Sequence, residues 1–542
     1  MKNKIITIIS DTLKSMDYPL VKISIEKPKN KENGDISSNI AFLLSKELKQ
    51  NPLDIADKLK KTLSKSELFQ SVDVANPGFI NFKFNVEAIV QSVESIIKLN
   101  HDYGKNNSGE NKKVLVEFVS ANPTGPLTVG HGRGAILGDV ISNILEWNGY
   151  SVEREYYYNN AGRQMEKLGL SVQARYLEFL GDKIEFPEDG YEGKYIKNIA
   201  EEIFNDFGNQ LRSSKDLLLF TEKAEKTIFS IIKQTLKKLD IKFDNYFNEK
   251  SLFENGSIEK IVRILSDKGL IYKKDGATWL KASAIGKEQD RVIIKSTGEP
   301  TYRLPDIAYH RDKLERGYDL IIDVLGADHM DAFPDVLAAV EQMDYPIKRI
   351  KVLIHQFVTL IKKGKPVKMS TRKAQFVTLD NLIEDVGVDV VRYFFLMRGM
   401  NSHLNFDLDL ARDESDENPV YYLQYANARL SNILKNAIEL GYDFNLNKTD
   451  FTLLSIDLEI DIIKTLLDFP FIIEKTLDSL EPQGLAIYLN NLAGKFHRYY
   501  ARERVLTNNN DLTAARLQLI RSIQIVIKNG LGILNISAPD RM

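Results

Sequence analysis

The sequence predicts an α/β domain built on a doubly wound parallel sheet, with an α+β domain before it and an all-α helical bundle after it. Three observations lead there. Continuous apolar strands alternate with helical stretches in the middle of the chain, as buried parallel strands require. A single alternating strand sits among helical patterns near the start. Beyond about residue 412 only helical periodicity remains.

The first part covers residues 1–108. Its helical patterns fall at 5–16, 40–49 and 52–63, and its strand is Gly78-Phe79-Ile80-Asn81-Phe82-Lys83-Phe84. A polar, glycine-containing linker at 103–113 marks a boundary. The second part, 112–400, holds the strands Val114-Leu115-Val116-Glu117-Phe118, Leu320-Ile321-Ile322-Asp323-Val324-Leu325 and Ile350-Lys351-Val352-Leu353-Ile354. Between about 165 and 285 the pattern turns helical and charged, which predicts a helical insertion into the sheet. The third part, 412–542, carries apolar residues at spacings of three and four over 421–440 and 455–480. Pro482 and Gly484 break that run, and helices at 486–504 and 512–534 follow.

A chain of 542 residues calls for several domains, and 43% hydrophobic content is ordinary for folded ones. The net charge of -2 announces no nucleic-acid partner, so a basic footprint must be local. The absence of cysteine excludes disulfides, iron–sulfur clusters, a thiolate nucleophile and cysteine-ligated zinc. The seven histidines show no metal-ligand spacing, and no metal site is expected. The apolar start, Ile5-Ile6-Thr7-Ile8-Ile9, stops at Asp11 without a small-residue cleavage site, so it reads as an amphipathic helix rather than a signal sequence. No apolar run reaches the ~20 residues that cross a bilayer, and a cytoplasmic protein without a membrane partner is expected.

Two motifs carry chemistry. From Glu117 to Gly138 the chain reads as strand, Pro/Gly turn, then the glycine-rich start of a helix, Gly130-His131-Gly132-Arg133-Gly134. Glycines at a helix N-terminus let a phosphate approach free N–H groups, and His131 adds a donor to stabilise charge in a pentavalent transition state. The third glycine is misplaced for the dinucleotide fingerprint, and no Gly-Lys-Ser/Thr follows as a P-loop needs. Far downstream, Lys362-Lys363-Gly364-Lys365-Pro366-Val367-Lys368-Met369-Ser370-Thr371-Arg372-Lys373 is a basic loop suited to closing over a polyphosphate. Alone, the first motif also fits a close-packed turn and the second a solvated surface loop.

Together with their surroundings these motifs resemble the arginyl-tRNA synthetases, class I aminoacyl-tRNA synthetases, over nearly the whole chain. Asn33-Gly34-Asp35-Ile36-Ser37-Ser38-Asn39-Ile40-Ala41 and Asn76-Pro77-Gly78-Phe79-Ile80-Asn81-Phe82 resemble the family's N-terminal domain. The segment from Ala121 to His131 resembles its HIGH motif, and Tyr157-Tyr158-Asn159-Asn160-Ala161-Gly162-Arg163-Gln164 the stretch that follows. Thr301-Tyr302-Arg303-Leu304-Pro305-Asp306-Ile307-Ala308-Tyr309-His310, Leu325-Gly326-Ala327-Asp328-His329 and the ending Ile536-Ser537-Ala538-Pro539-Asp540-Arg541-Met542 are also family-like.

The resemblance implies a Rossmann-like catalytic domain of class I synthetase type, with the N-terminal domain touching the tRNA elbow and the bundle the anticodon region. It implies ATP, as its magnesium complex, as substrate with no tightly bound cofactor, and L-arginine and tRNA(Arg) as partners of a monomer that binds no DNA. Arginine is activated to arginyl-adenylate with release of pyrophosphate, then passed to the 3′-terminal adenosine. Glu117, Ser120, Asn122, Tyr302 and Asp306 are implied to bind arginine, the first three at its α-amino and carboxylate groups. A guanidinium suits such a set, since its fork of donors wants carboxylates and a ring to stack on. Tyr302 and Asp306, four apart on a predicted helix, share a face. Asn81 or Asn85 reaches in from the first part. Gly130, His131, Gly132, Asp328, His329, Lys368, Met369 and Ser370 are implied for ATP, with His131, Thr128, Lys368 and Arg372 catalytic. Thr128 stands where the family usually has a second histidine, and Thr371 replaces the second lysine of the KMSK pattern. In the bundle, Lys495, Arg498, Tyr499 and Arg502 lie in a run that interleaves cations with aromatics, as unpaired RNA bases and phosphates require. Rival readings are another class I synthetase, a small nucleotidyltransferase, or a tRNA-binding protein without catalysis.

Overall fold

In the computed structural model the described residues are 2–28, 30–367, 377–443 and 445–542. Of the basic loop expected at 362–373, residues 362–367 are described and form a hairpin in which Lys362 pairs with Lys365, while 368–373 lie outside the described residues, and with them Lys368, Met369, Ser370 and Arg372.

The chain begins with a four-stranded antiparallel sheet, ordered Ile25–Glu26, Ile36–Ser38, Phe79–Phe84, Phe69–Ala75. Alternation along Phe79–Phe84 turns Ile80, Phe82 and Phe84 into the core. Helices Lys2–Ser15, Ile40–Leu48 and Pro52–Leu63 form as their apolar periodicity predicts, the last capped by Asn51 and opened by a proline. Asn81 is buried in this sheet, opposite Ser37 and Asp73. Asn85 instead spends its side-chain oxygen capping helix Val86–Leu99 through the Glu87 N–H. That helix packs on the C-terminal bundle.

Five parallel strands make the central sheet: β1 (Lys113–Phe118), β2 (Ser151–Tyr158), β3 (Asn245–Asn248), β4 (Leu320–Gly326) and β5 (Ile350–His355). Their order, β5-β4-β1-β2-β3, reverses between β1 and β4. This is the doubly wound arrangement, and its switch point opens a crevice at the carboxyl ends of those two strands. Helix α1 (Val129–Trp147) leads from β1 towards β2, and helix α2 (Arg303–Glu315) precedes β4.

The expected helical insertion at 165–285 divides into unlike pieces. Helices Arg163–Phe179, Lys194–Phe207 and Leu218–Lys238 pack together between β2 and β3. The chain then returns to the parent sheet as β3, whose four residues are too few to show an apolar run. Beyond it, Ile271–Lys274, Ala277–Leu280 and Arg291–Ile294 form an antiparallel meander. Asp275 and Gly276 turn its hairpin with φ of 50° and 74°, as the mirror-image two-residue turn demands.

Four helices build the C-terminal bundle: α3 (Pro419–Glu439), α4 (Asp457–Ser479), α5 (Gln483–Arg502) and α6 (Asn510–Ile533). The break at Pro482 stands between α4 and α5, after Leu480 has turned left-handed at φ 55°. Buried Arg392 joins bundle to catalytic domain. Its guanidinium pairs with Asp139 on α1 and donates to the carbonyls of Leu239 (2.9 Å) and Leu534 (3.0 Å). Among the described residues no helix is long and apolar enough to cross a membrane.

Candidate active site

At the end of β1 the backbone turns sharply: Val119 and Ser120 sit at φ 68° and 45°. Left-handed conformations cost non-glycine residues about 1–3 kcal/mol and gather at functional sites. The turn folds Ser120 back, so that its Oγ donates to Glu117 Oε1 at 2.8 Å and accepts the Tyr157 N–H at 3.2 Å. Glu117 is buried, and its other oxygen meets the ammonium of Lys313 from α2. Lys313, fully buried, also donates to Asp323 on β4 at 2.7 Å. Burial works against the charge on Lys313, but Asp323 and Glu117 outweigh it and hold its pKa above the ordinary value. Glu117 is therefore an ion-paired carboxylate with each oxygen held by a different residue, Ser120 and Lys313.

Asp306, one turn up α2 from His310, is held otherwise. Its carboxylate accepts no hydrogen bond among the described residues. Burial pushes it up to about 6, with His310 pulling it down and the Glu117 charge raising it further. Near it lies Glu249, which follows β3 and takes hydrogen bonds from the Tyr157 hydroxyl and from Asn159 Nδ2 at 2.7 Å. Burial raises the Glu249 pKa, Tyr157 lowers it, and the Asp306 charge raises it again. Rings of Tyr157, Phe247 and Tyr309 pack between these groups, with centroids of Tyr157 and Tyr309 4.5 Å apart. The result is a cluster of carboxylates set against packed aromatic rings.

Asn122 sits at its lip, accepting the Asn159 N–H at 2.9 Å and donating to Gln164 at 3.1 Å. Tyr302 stands at the N-terminus of α2, 60% exposed, where the Asp306 N–H reaches its carbonyl at 3.2 Å. The guanidinium of Arg303 lies 5.0 Å from its ring centroid and bonds its hydroxyl at 3.1 Å. The ring thus has one guanidinium of its own chain against it. The five residues expected for arginine are linked by these contacts, directly or through β2 and α2. Tyr157 joins them from the family-like stretch 157–164, and Glu249 from a part of the sequence that gave no motif.

On the other side of β1, Thr128 caps α1. Its N–H donates to His131 Nδ1 at 3.1 Å, with Oγ1 at 3.2 Å from the same nitrogen. Burial lowers the His131 pKa, with Asp328 opposing. An imidazole that accepts at Nδ1 and stays neutral carries its proton on Nε2, ready to donate. A Cβ built on Gly130 would meet only Thr128 Oγ1, at 3.7 Å, so the helix start is open. At Gly134 the same atom would lie 2.8 Å from Nε2 of His355, the last residue of β5. Burial pushes His355 down to about 4, which keeps a second imidazole neutral beside the first. Asp328 and His329 lie exposed on the turn Ala327–His329 after β4, with His329 Nε2 3.7 Å from Asp328 Oδ2.

The basic face expected on α5 is only partly present. Arg498 and Arg502 are exposed, while Lys495 bonds Asp461 and Thr465, both at 2.8 Å. Tyr499 is 0% exposed and its hydroxyl donates to Glu459 at 3.1 Å, so it cannot stack on a base. The reason is helix phase. Leu485, Leu489, Leu492, Phe496 and Tyr499 form the buried stripe, which leaves the outward ring to Tyr500, 40% exposed. Arg429 of α3 lies over Tyr500 (5.2 Å) and Tyr425 (4.5 Å), a cation–aromatic cluster the sequence did not single out.

Three family models match the chain: the arginyl tRNA synthetase N terminal domain over 3–84, the class I (R) tRNA synthetase catalytic domain over 92–392, and the DALR anticodon binding domain over 423–542. The arginine–tRNA ligase of Desulfotalea psychrophila is 47% identical over 523 residues, spanning 96% of this chain and 95% of that protein. That of Chlorobaculum tepidum is 47% identical over 529 residues and 96% of both. Among solved structures, the arginyl-tRNA synthetase of Thermus thermophilus superposes with a TM-score of 0.77 at 22% identity over the full length of both chains, which speaks to the fold. With its switch-point crevice, its cluster of carboxylates and these matches along its length, the chain belongs to the arginyl-tRNA synthetase family.

Proposed function

We propose that the chain is an arginine–tRNA ligase, joining L-arginine to the 3′-terminal adenosine of tRNA(Arg) in two steps driven by ATP. An oxygen of the arginine carboxylate attacks the α-phosphorus of ATP. The bond from that phosphorus to the bridging oxygen of pyrophosphate breaks, and arginyl-adenylate and pyrophosphate result. A ribose hydroxyl of the tRNA then attacks the activated carbonyl, its proton is released, and AMP leaves. No enzyme nucleophile takes part; positioning and electrostatics lower both barriers.

The observation that carries this reading is Asp306: a half-buried carboxylate without a donor among the described residues, beside Glu249 and below Tyr302. A guanidinium arriving there supplies both the charge and the fork of donors that the cluster lacks. Tyr302 and Asp306 take the guanidinium, with Glu249 as a further wall. Glu117, Ser120 and Asn122 hold the α-amino and carboxylate end, Glu117 and Ser120 being fixed through Lys313 and Tyr157. His131 Nε2–H and the open start of α1 at Gly130 receive the α-phosphate, with Thr128 fixing the ring, while Gly132 packs against Leu379 and Phe395 and stands back from the ligand. Asp328 and His329 flank the nucleotide. Lys368, Met369, Ser370 and Arg372 hold the departing pyrophosphate, together with the magnesium ion that accompanies ATP.

Arg498 and Arg502 contact tRNA phosphates, and the N-terminal domain meets the tRNA elbow. The enzyme acts in the cytoplasm as a monomer, without a DNA partner. Arginine-dependent exchange of pyrophosphate into ATP, run with and without tRNA, tests the assignment. Exchange driven by a different amino acid, or none in either condition, overturns it.

A further inference from the structure

Asp306, His310 and Lys313 share one face of α2, at spacings of four and three. The helix leads into β4, so it runs antiparallel to the sheet. Asp306, in its first turn, lies at the carboxyl ends of the strands, and the other two lie over the sheet. Beneath them, Glu117 of β1 and Asp323 of β4 are direct partners in the parallel ladder at the switch point. Glu117, His310, Lys313 and Asp323 are all buried.

Helix and strands interlock through hydrogen bonds. Lys313 meets Glu117 and donates to Asp323 Oδ1 at 2.7 Å. Asp323 Oδ2 accepts from His310 Nε2 at 3.1 Å, and the other ring nitrogen, Nδ1, lies 2.7 Å from the Asp306 carbonyl oxygen. Both ring nitrogens face acceptors, so both donate. Burial works against the charge on Asp323, but Lys313 and His310 overcome it and hold the carboxyl well below its ordinary range. The imidazole stands edge to face with Phe333 at a centroid distance of 5.2 Å, and the Lys313 ammonium lies 4.1 Å from the Tyr309 ring centroid. A continuous chain of contacts therefore runs from the backbone of Asp306 to the carboxylate of Glu117 and on to Ser120.

We propose that His310, Asp323 and Lys313 are positioning residues that set the reach between Asp306 and Glu117, and so make the site selective for the length of the amino-acid side chain. The inference rests on the reading above, in which those two carboxylates hold opposite ends of arginine. Apolar contacts between a helix and a sheet have no preferred direction, whereas hydrogen bonds do. A slide of α2 by one residue, about 1.5 Å, breaks bonds to β1 and β4 together. That step is comparable to the length one methylene adds to a substrate. Asp323 is 0% exposed beneath the helix, away from the substrate, so its substitution reports on the lock alone.

The test is pyrophosphate exchange by the full chain, driven by arginine or by homoarginine, which is one methylene longer. Asp323→Leu, His310→Phe and Asp323→Asn are compared through the ratio of kcat/KM for the two amino acids. In Asp323→Leu and His310→Phe the ratio should fall about tenfold, within the range that one methylene is worth, because arginine loses its fit and homoarginine does not. A homoarginine signal that appears only in these variants counts as the same fall. Asp323→Asn still offers an oxygen to Lys313 and an amide to a His310 ring that accepts at Nε2, so its ratio should stay within about twofold of wild type. The ATP KM should stay within about twofold throughout, since the loss falls on the amino-acid end. Equal losses for both amino acids, or a matching rise in ATP KM, overturn the proposal. So does a ratio in Asp323→Asn that falls as far as in Asp323→Leu. If Asp323→Leu or His310→Phe does not fold, the other decides by the same criterion. Wild-type protein without arginine-dependent exchange would instead overturn the underlying reading.

Discussion

The two halves of the crevice are built by opposite means. The phosphate half is local. Thr128, Gly130 and His131 lie within one turn of α1, and the N–H that fixes His131 belongs to a residue three positions away. The amino-acid half is assembled across the fold: Lys313 reaches Glu117 over 196 positions, and Tyr157 reaches Glu249 over 92. The first half therefore offers neutral donors at a helix start, stable without a ligand. The second concentrates carboxylates, two of them held above their ordinary pKa, and it awaits a cation.

Replacing the unpaired carboxylate should separate the halves most sharply. Asp306→Asn is expected to cut arginine-dependent exchange about 10²–10³-fold, mainly through the arginine KM, because a buried charged hydrogen bond is lost. The same variant should be more stable at pH 7. Folding holds Asp306 near 6 against an ordinary value near 3.8, so the ionised form is penalised only in the folded state. About two pKa units correspond to ~3 kcal/mol, present above pH 6 and gone below about pH 4. Thermal melts at pH 7 and pH 4 check the sign; a variant less stable than wild type at pH 7 would contradict the cluster's electrostatics.

On the phosphate side, His131→Ala should lower exchange by about 10² through kcat, with the arginine KM unmoved. A matching rise in arginine KM would mean that the halves are not separable. A milder probe is pH. Guanidinium binding needs ionised Asp306, so the arginine KM should rise about tenfold per unit as pH falls below 6, while the ATP KM follows a different profile. A flat arginine profile between pH 5 and 7 would remove Asp306 from that contact. The smallest effects belong to the bundle. Arg498→Ala and Arg502→Ala should each raise the tRNA KM a few-fold and reduce its salt dependence by about one phosphate contact. Tyr499→Phe should leave that KM unchanged and cost about 1 kcal/mol of stability through the lost bond to Glu459.

What sequence alone could reveal follows the same division. Helix Pro52–Leu63 and strand Lys113–Phe118 stand where periodicity and an apolar run put them, because those signals are local. The strand Asn245–Asn248 escaped notice, being four residues long with no buried apolar run of its own. The hairpin at Asp275-Gly276 carried a turn signal that the surrounding charge concealed. His131 could be placed from its helix start, whereas Glu249 could not, since only the paired β2 and β3 bring Tyr157 and Asn159 to it. Tyr499 shows the limit within a single helix. Cations and rings marked the right face region, but one residue of phase separates the core ring from the exposed one.

Arg392 gives the architecture a mechanical property. One guanidinium grips the middle of α1, the loop before β3 and the last turn of the bundle, without solvent between them. Severing a buried pair of this kind costs about 3–5 kcal/mol. The bundle, α1 and the loop before β3 therefore share one buried anchor, so that none of the three can shift without breaking a bond to the same guanidinium.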